Sequence, residues 1–171
     1  MGSRSALLAL CLAGATAGCA HGNGAESQSA PQTARVGSPA PVWSEPSVPG
    51  PTLSSSALRG KALYLNFFAT WCPPCNEEAP AIDSLARRYA DRGLQVVGVD
   101  VLENARKAAS FRLQHHLAYP VVVDGGTLRD AYNVNGLPVH VFIDRNGIVR
   151  KIVVGELSAQ RMQDEIERVL Q

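Results

Sequence analysis

The chain has 171 residues, 46% of them hydrophobic, and a formal net charge of +1. The length suits one domain with added segments, and the near-neutral balance gives no sign of a nucleic-acid or strongly acidic partner. Its four cysteines, Cys11, Cys19, Cys72 and Cys75, are distinguished by position rather than number.

The chain opens as an export signal. Arg4 and the amino terminus make a positive end, residues 6–17 are uncharged and mostly Ala and Leu, and small residues follow. That run is too short to span a bilayer and has no amphipathic period, so residues 1–18 read as a signal peptide. Thr16-Ala17-Gly18-Cys19 resembles a bacterial lipobox, in which the cysteine becomes the lipid-bearing first residue. Ala15-Thr16-Ala17 also fits ordinary secretory cleavage, which would give a soluble periplasmic chain. Lipidation is the preferred reading, because a cysteine just after the apolar run has no other evident purpose. Ala20 resembles lipoproteins not retained in the inner membrane. The expected location is the periplasmic side of a bacterial membrane, the outer membrane included, reached through a lipid anchor and no spanning helix. Either cleavage removes Cys11, and lipidation of Cys19 leaves Cys72 and Cys75 alone, too few for a four-cysteine zinc site.

Residues 19–35 are rich in Gly, Ser, Ala and Gln and read as a flexible tether. Residues 36–52 form a Pro-rich, partly extended lead-in with Trp43 and Val48 as anchors. ALYLNFFA, 62–69, has the composition of a buried strand. A helix is predicted from 73 to about 91, with Ile82, Leu85, Ala86 and Tyr89 on one face, Pro80 kinking it and Gly93 closing it. LQVVGVDV, 94–101, is apolar on both faces, like a central parallel strand. A helix over 104–117, a strand over 120–124 and a short helix over 127–132 follow. PVHVFID and IVRKIVVG are strands joined by the hairpin turn Asp144-Arg145-Asn146-Gly147. The last helix takes Ser158 as its N-cap and lines up Met162, Ile166, Val169 and Leu170. Strands alternating with helices predict an α/β fold, a parallel sheet covered on both faces with an antiparallel hairpin at one side.

Cys72 and Cys75 fall where a buried strand ends and a helix begins. The unpaired N–H groups of a first helical turn stabilise a thiolate, which would make Cys72 the nucleophile. Cys75, one turn in, can reach that sulfur and is more buried. Pro73 and Pro74 fit a first turn that needs no N–H, and they stiffen the loop. Trp71 would cover one side. A purely structural disulfide would close so small a ring that it stabilises little. A metal site would need further ligands. Of the histidines, His21 lies in the tether and His115 and His116 read as solvated helix-end residues; His140 alone is expected near the cysteines.

RGKALYLNFFATWCPPCNEEAP, with NGLPVHVFIDRNGIVRKIVVG, resembles the TlpA/ResA-like (DsbE-like) thioredoxin family of exported, membrane-tethered thiol–disulfide oxidoreductases. The resemblance covers about residues 36–171 and implies a thioredoxin-like fold, a central mixed sheet flanked by helices with the family's αβ insertion. It implies Cys72 as attacking thiolate and Cys75 as resolving thiol of a redox-active disulfide. It implies Pro138 as a cis-proline facing that disulfide and Leu137 as the backbone that pairs with substrate. It implies Glu78 as a proton shuttle for Cys75, although a solvated carboxylate like Glu77 is the plainer reading of the residue by itself. Trp71, Pro73 and Pro74 fall on the substrate side. No cofactor is implied. Partners would be exported disulfide proteins, such as apocytochromes c or copper-site proteins, and a membrane thiol electron donor, with the chain a monomer.

Two positions depart from the wider pattern. Asn66 stands where thioredoxin has a buried aspartate, and Asn cannot accept a proton. His140 follows the proline in place of a Thr-rich sequence and reads as a core histidine, a substrate-facing group or a metal ligand. Two rivals follow: a copper-binding protein using Cys72, Cys75 and His140, and a thioredoxin-fold peroxidase using Thr70.

Overall fold

The structure is a computed structural model that describes residues 1–2 and 33–171. The export signal, Cys19 and the tether up to residue 32 lie outside the described residues. From Ala34 the chain is engaged, its N–H donating to the Ala131 carbonyl at 2.8 Å, two residues before the expected domain start.

The lead-in is more ordered than its proline content predicts. β1 (Ser44–Glu45) pairs with β3 (Leu53–Ser54), β2 (Ser47–Val48) joins the main sheet, and Trp43 is buried. Two-residue strands are too short for any periodicity to reveal.

The remaining elements follow the predicted order. β4 (Ala62–Phe68) leads to α1 (Pro73–Tyr89), then β5 (Leu94–Val101), α2 (Ala105–Gln114), β6 (Val121–Asp124), α3 (Thr127–Ala131), β7 (Val139–Ile143), β8 (Val149–Val154) and α4 (Ala159–Val169). The six-stranded sheet runs β2-β6-β5-β4-β7-β8. β4, β5 and β6 are parallel, while β7 and β8 are antiparallel, so the sheet is mixed. α2 leads into β6, which widens the sheet beyond β5. Every residue of β4 is buried, as a central strand covered on both faces requires.

One face carries α1, α2 and α4 over Tyr64, Phe68, Val96 and Phe142. The other carries α3 and the lead-in over Leu65, Phe67, Val97 and Val141. α1 runs without interruption through Pro80, and a 3-10 turn over Ala90–Arg92 leads to Gly93, left-handed at φ 86°.

Candidate active site

Cys72 is the N-cap of α1, with Pro73 and Pro74 in the first turn. Cys72 and Cys75 are joined in a disulfide, and the Cys75 N–H donates to Cys72 Sγ at 3.3 Å. That contact is the one an N-cap acceptor makes to a first-turn donor, here with sulfur as acceptor. The two sulfurs therefore share the positive end of the helix. Both cysteines are buried, yet only Cys72 lines the adjoining groove of about 590 Å³, together with Trp71, Pro73, Pro74, Leu102, Arg129, Val134 and Leu137. Trp71 and Leu102 are 64% and 67% exposed, an unusual placement for large apolar side chains and one that gives the groove an apolar rim. The Leu137–Pro138 peptide is cis and stands at the mouth of β7.

The loop before Cys72 is held from two sides. Glu103 accepts from the Thr70 N–H at 2.5 Å and from its hydroxyl at 2.8 Å, and pairs with Lys107 at 2.8 Å. Burial acts to raise the Glu103 carboxyl, but Lys107 and Thr70 outweigh it and hold it low. The Thr70 hydroxyl is thus turned to a carboxylate, not to Cys72. Asn76 donates to the carbonyls of Thr70 (3.0 Å) and Cys72 (2.8 Å), which fixes its amide. Its oxygen then accepts from His115 Nε2 at 2.9 Å. His115 also packs on Phe111 with centroids 4.4 Å apart. It is a half-buried clamp between α2 and α1 and not the solvated residue expected from its helix-end position.

Behind Cys75, on the same side of α1 three residues on, Glu78 is buried while Glu77 is exposed. Glu78 Oε1 accepts from the Leu157 N–H at 2.5 Å. Its Oε2 lies 3.5 Å from His140 Nε2. Burial pushes the Glu78 carboxyl up to about 7, with Glu156 and Glu77 adding to it and Leu157 opposing. His140 is fully buried, opposite Asn66 across the β4–β7 ladder, and its Nδ1 meets the Tyr64 hydroxyl at 2.8 Å. Burial pulls the imidazole down to about 4, so it is neutral at neutral pH. Asn66 Nδ2 sits 3.5 Å from the same Nδ1. His140 is thus the core histidine of the three readings, with polar partners. Its nitrogens face Tyr64 and Glu78 and not the sulfurs, which removes the ligand that the copper alternative needs. Among the described residues no group of three His, Cys, Asp or Glu side chains is placed to hold a metal.

The sequence reading missed Tyr64, Asn76, Asp100 and Glu103. Asp100, fully buried in β5, has neither carboxyl oxygen hydrogen-bonded, and burial and then Glu103 push it up to about 8. Tyr64 was detectable: it lies two residues from Asn66 on one strand, hence on the same face.

A cysteine pair at a helix N-terminus, whose first residue lines a groove and whose second is followed one turn on by a buried, protonatable carboxyl, is equipped for thiol–disulfide exchange. The AhpC/TSA family matches residues 36–152. A thiol–disulfide oxidoreductase ResA of Geobacillus kaustophilus is 33% identical, covering 78% of each chain. The chain belongs to the AhpC/TSA family, as a ResA-like thiol–disulfide oxidoreductase. A thioredoxin-like protein, YneN of Bacillus subtilis, is 31% identical over 77% of this chain and 78% of its own. A thioredoxin-family thiol:disulfide interchange protein of Chlorobium tepidum has the same fold, with a TM-score of 0.74 and 34% identity over 81% of this chain and 99% of its own. As such an oxidoreductase, the chain acts on disulfide-containing partners through its CxxC pair.

Proposed function

We propose that this oxidoreductase works as a reductant of exported proteins, with apocytochromes c and copper-site proteins as the substrate classes its family resemblance implies. Cys72, as thiolate, attacks a substrate disulfide; a Cys72–substrate bond forms and the other substrate sulfur leaves and is protonated. Cys75, its proton accepted by Glu78, then attacks Cys72 and releases the second substrate thiol. Two electrons have passed to the substrate, and a membrane thiol donor returns them to the Cys72–Cys75 disulfide. The observation that carries this order is the placement of the cysteines: Cys72 caps α1 and lines the groove, while Cys75, one turn on, does not line it. Trp71, Pro73 and Pro74 flank the approach, and Leu137 and Pro138 form the wall along which an extended substrate segment pairs in the manner of an added strand.

The chain is further proposed to divide into a signal (1–18), a tether (19–35) and the thioredoxin-like domain (36–171), and to act as a monomer anchored through lipid on Cys19. A lipid anchor suits a chain in which no described helix is long and apolar enough to cross a membrane.

Cys75→Ser stops the cycle at the mixed disulfide, so this variant should accumulate partners linked to Cys72 that a reducing agent releases. The reduction potential of the Cys72–Cys75 couple, measured against glutathione, is expected on the reducing side of the strongly oxidising disulfide catalysts. A potential close to theirs would reverse the direction of the cycle, and the absence of any trapped partner would remove the assigned roles.

A further inference from the structure

In the interior behind Cys75, two polar atoms face each other without a hydrogen-bond partner: Oε2 of Glu78 and Nε2 of His140, 3.5 Å apart. Their other atoms are engaged, Glu78 Oε1 by the Leu157 N–H and His140 Nδ1 by the Tyr64 hydroxyl. A neutral imidazole carries one N–H and one lone pair, and a phenol can donate or accept. Two complete arrangements follow. With Glu78 ionised, the Tyr64 O–H donates to Nδ1 and the Nε2–H is directed at the carboxylate. With Glu78 protonated, the Nδ1–H donates to the Tyr64 oxygen, and the Nε2 lone pair receives the carboxyl proton. The ring changes tautomer, not charge.

We propose that His140, backed by Tyr64, is a positioning residue that keeps Glu78 hydrogen-bonded in both of its protonation states, so that this carboxyl can take the Cys75 proton and give it back within a buried site. The inference rests on the dithiol–disulfide reading of Cys72 and Cys75 and deepens it. In the resolving step Cys75 S–H gives its proton to Glu78; the ring then re-equilibrates by exchange with water, losing the proton at Nε2 and gaining one at Nδ1, while the Tyr64 hydroxyl turns from donor to acceptor. The Cys75 sulfur then bonds to Cys72, the Cys72–substrate S–S bond breaks, and the leaving thiolate takes up a proton. Without the ring, Glu78 would have one oxygen orphaned in either state, and an unpaired buried carboxylate is costly.

Burial dominates at the ring, opposed by the backbone carbonyl of Gly155, which favours an imidazole N–H. Glu77 on α1 and Glu156 before α4 act on Glu78, and both disfavour its ionisation. Asn66 Nδ2 on β4, 3.5 Å from Nδ1, is a donor and so favours the Nδ1 lone pair, the tautomer that meets an ionised Glu78. Tyr119, beside Tyr64, is itself held in its phenol form by burial. β8 sets Val153 opposite His140, and α4 contributes Met162 and Ile166, all apolar.

The test uses the whole protein carrying 2-nitro-5-thiobenzoate on Cys72 as a mixed disulfide; attack by Cys75 releases the coloured thiolate, and its rate is followed against pH. His140→Gln keeps an amide that donates and accepts but cannot change tautomer, and Tyr64→Phe removes only the hydroxyl. His140→Gln should slow release at neutral pH by about tenfold or more and move the inflection of the profile. Tyr64→Phe should move the inflection the same way by less. His140→Gln should add little to Glu78→Gln, since both act through one carboxyl. The carboxyl ¹³C shift of Glu78, titrated in Tyr64→Phe, gives the same readout without turnover. Unchanged inflections, or a full additive loss in the double variant, overturn the relay even if the melting temperature has fallen, because a purely structural role moves stability and not the inflection. A wild-type protein that releases no thiolate at any pH overturns the dithiol reading itself, and the relay with it.

Discussion

Glu77 and Glu78 are neighbours in sequence with opposite fates. One faces solvent, and the other is turned inward on the Cys75 side of α1, where losing its proton means placing a charge in the interior. The carboxyl is consequently poised at about 7, where it can both accept and donate a proton under physiological conditions. Glu78→Gln keeps an oxygen for the Leu157 N–H and fills the same space, so the fold should persist. Turnover in a disulfide-reduction assay is expected to fall by about 10²-fold, and the limb of its pH profile near neutrality should flatten. Turnover with an unaltered profile would assign the proton to another group. Cys72 and Cys75 are legible in the sequence because their spacing within one motif is local, whereas Glu78 and Pro138 come forward only through the family resemblance, Glu78 by itself reading as a solvated carboxylate. Tyr64 and His140 are 76 residues apart, and only the pairing of β4 with β7 brings them together. Strand periodicity puts Asn66 and Tyr64 on one face, but the register that sets Asn66 opposite His140 is a tertiary fact.

At the scale of elements, the site is a joint between the first turn of α1 and two neighbours. Glu103, just after β5, holds Thr70, while α2 holds the same loop through His115 and Asn76. The element order was readable because the strands and helices are long enough to show their periods, and the hairpin had its Asn-Gly turn. The clamp was not, since His115 at a helix end gives no sign of which helix it will meet. Asn76→Ala deletes two donors to backbone carbonyls and strands the His115 N–H. The expected loss is about 1–3 kcal/mol by urea denaturation, with His115→Ala costing less because Asn76 keeps both carbonyl contacts. Equal stability of Asn76→Ala and wild type would show that solvent satisfies the Thr70 and Cys72 carbonyls as well as the amide does.

Over the whole molecule, the buried ionisable groups set an unusual response to pH. Asp100 and Glu78 keep protons in the native state that the unfolded chain has already lost, up to about 8 and about 7 respectively. Native protein therefore binds more protons than unfolded protein in those windows, and unfolding free energy falls as pH rises through them. His140 has the opposite sign: held neutral down to about 4, it makes the unfolded chain the better proton binder until its ordinary range near 6.5. Below that point His140, joined by His115, whose imidazole is also held low by burial, offsets the two carboxyls; above it neither does, and between about 7 and about 8 Asp100 acts alone. The melting temperature should thus decline from slightly acid to slightly alkaline solution. Asp100→Asn places an uncharged group of nearly the same shape in β5, and it also relieves Glu103 of a nearby carboxylate. The variant should lose most of the decline above about pH 7 and melt higher than wild type in alkaline buffer, at roughly 3 °C for each kcal/mol recovered. Near pH 5, where Asp100 is already protonated in the folded chain, the two proteins should melt together or the variant slightly lower. A decline of the same slope in Asp100→Asn would mean that the unpaired carboxyl of β5 does not carry the alkaline instability.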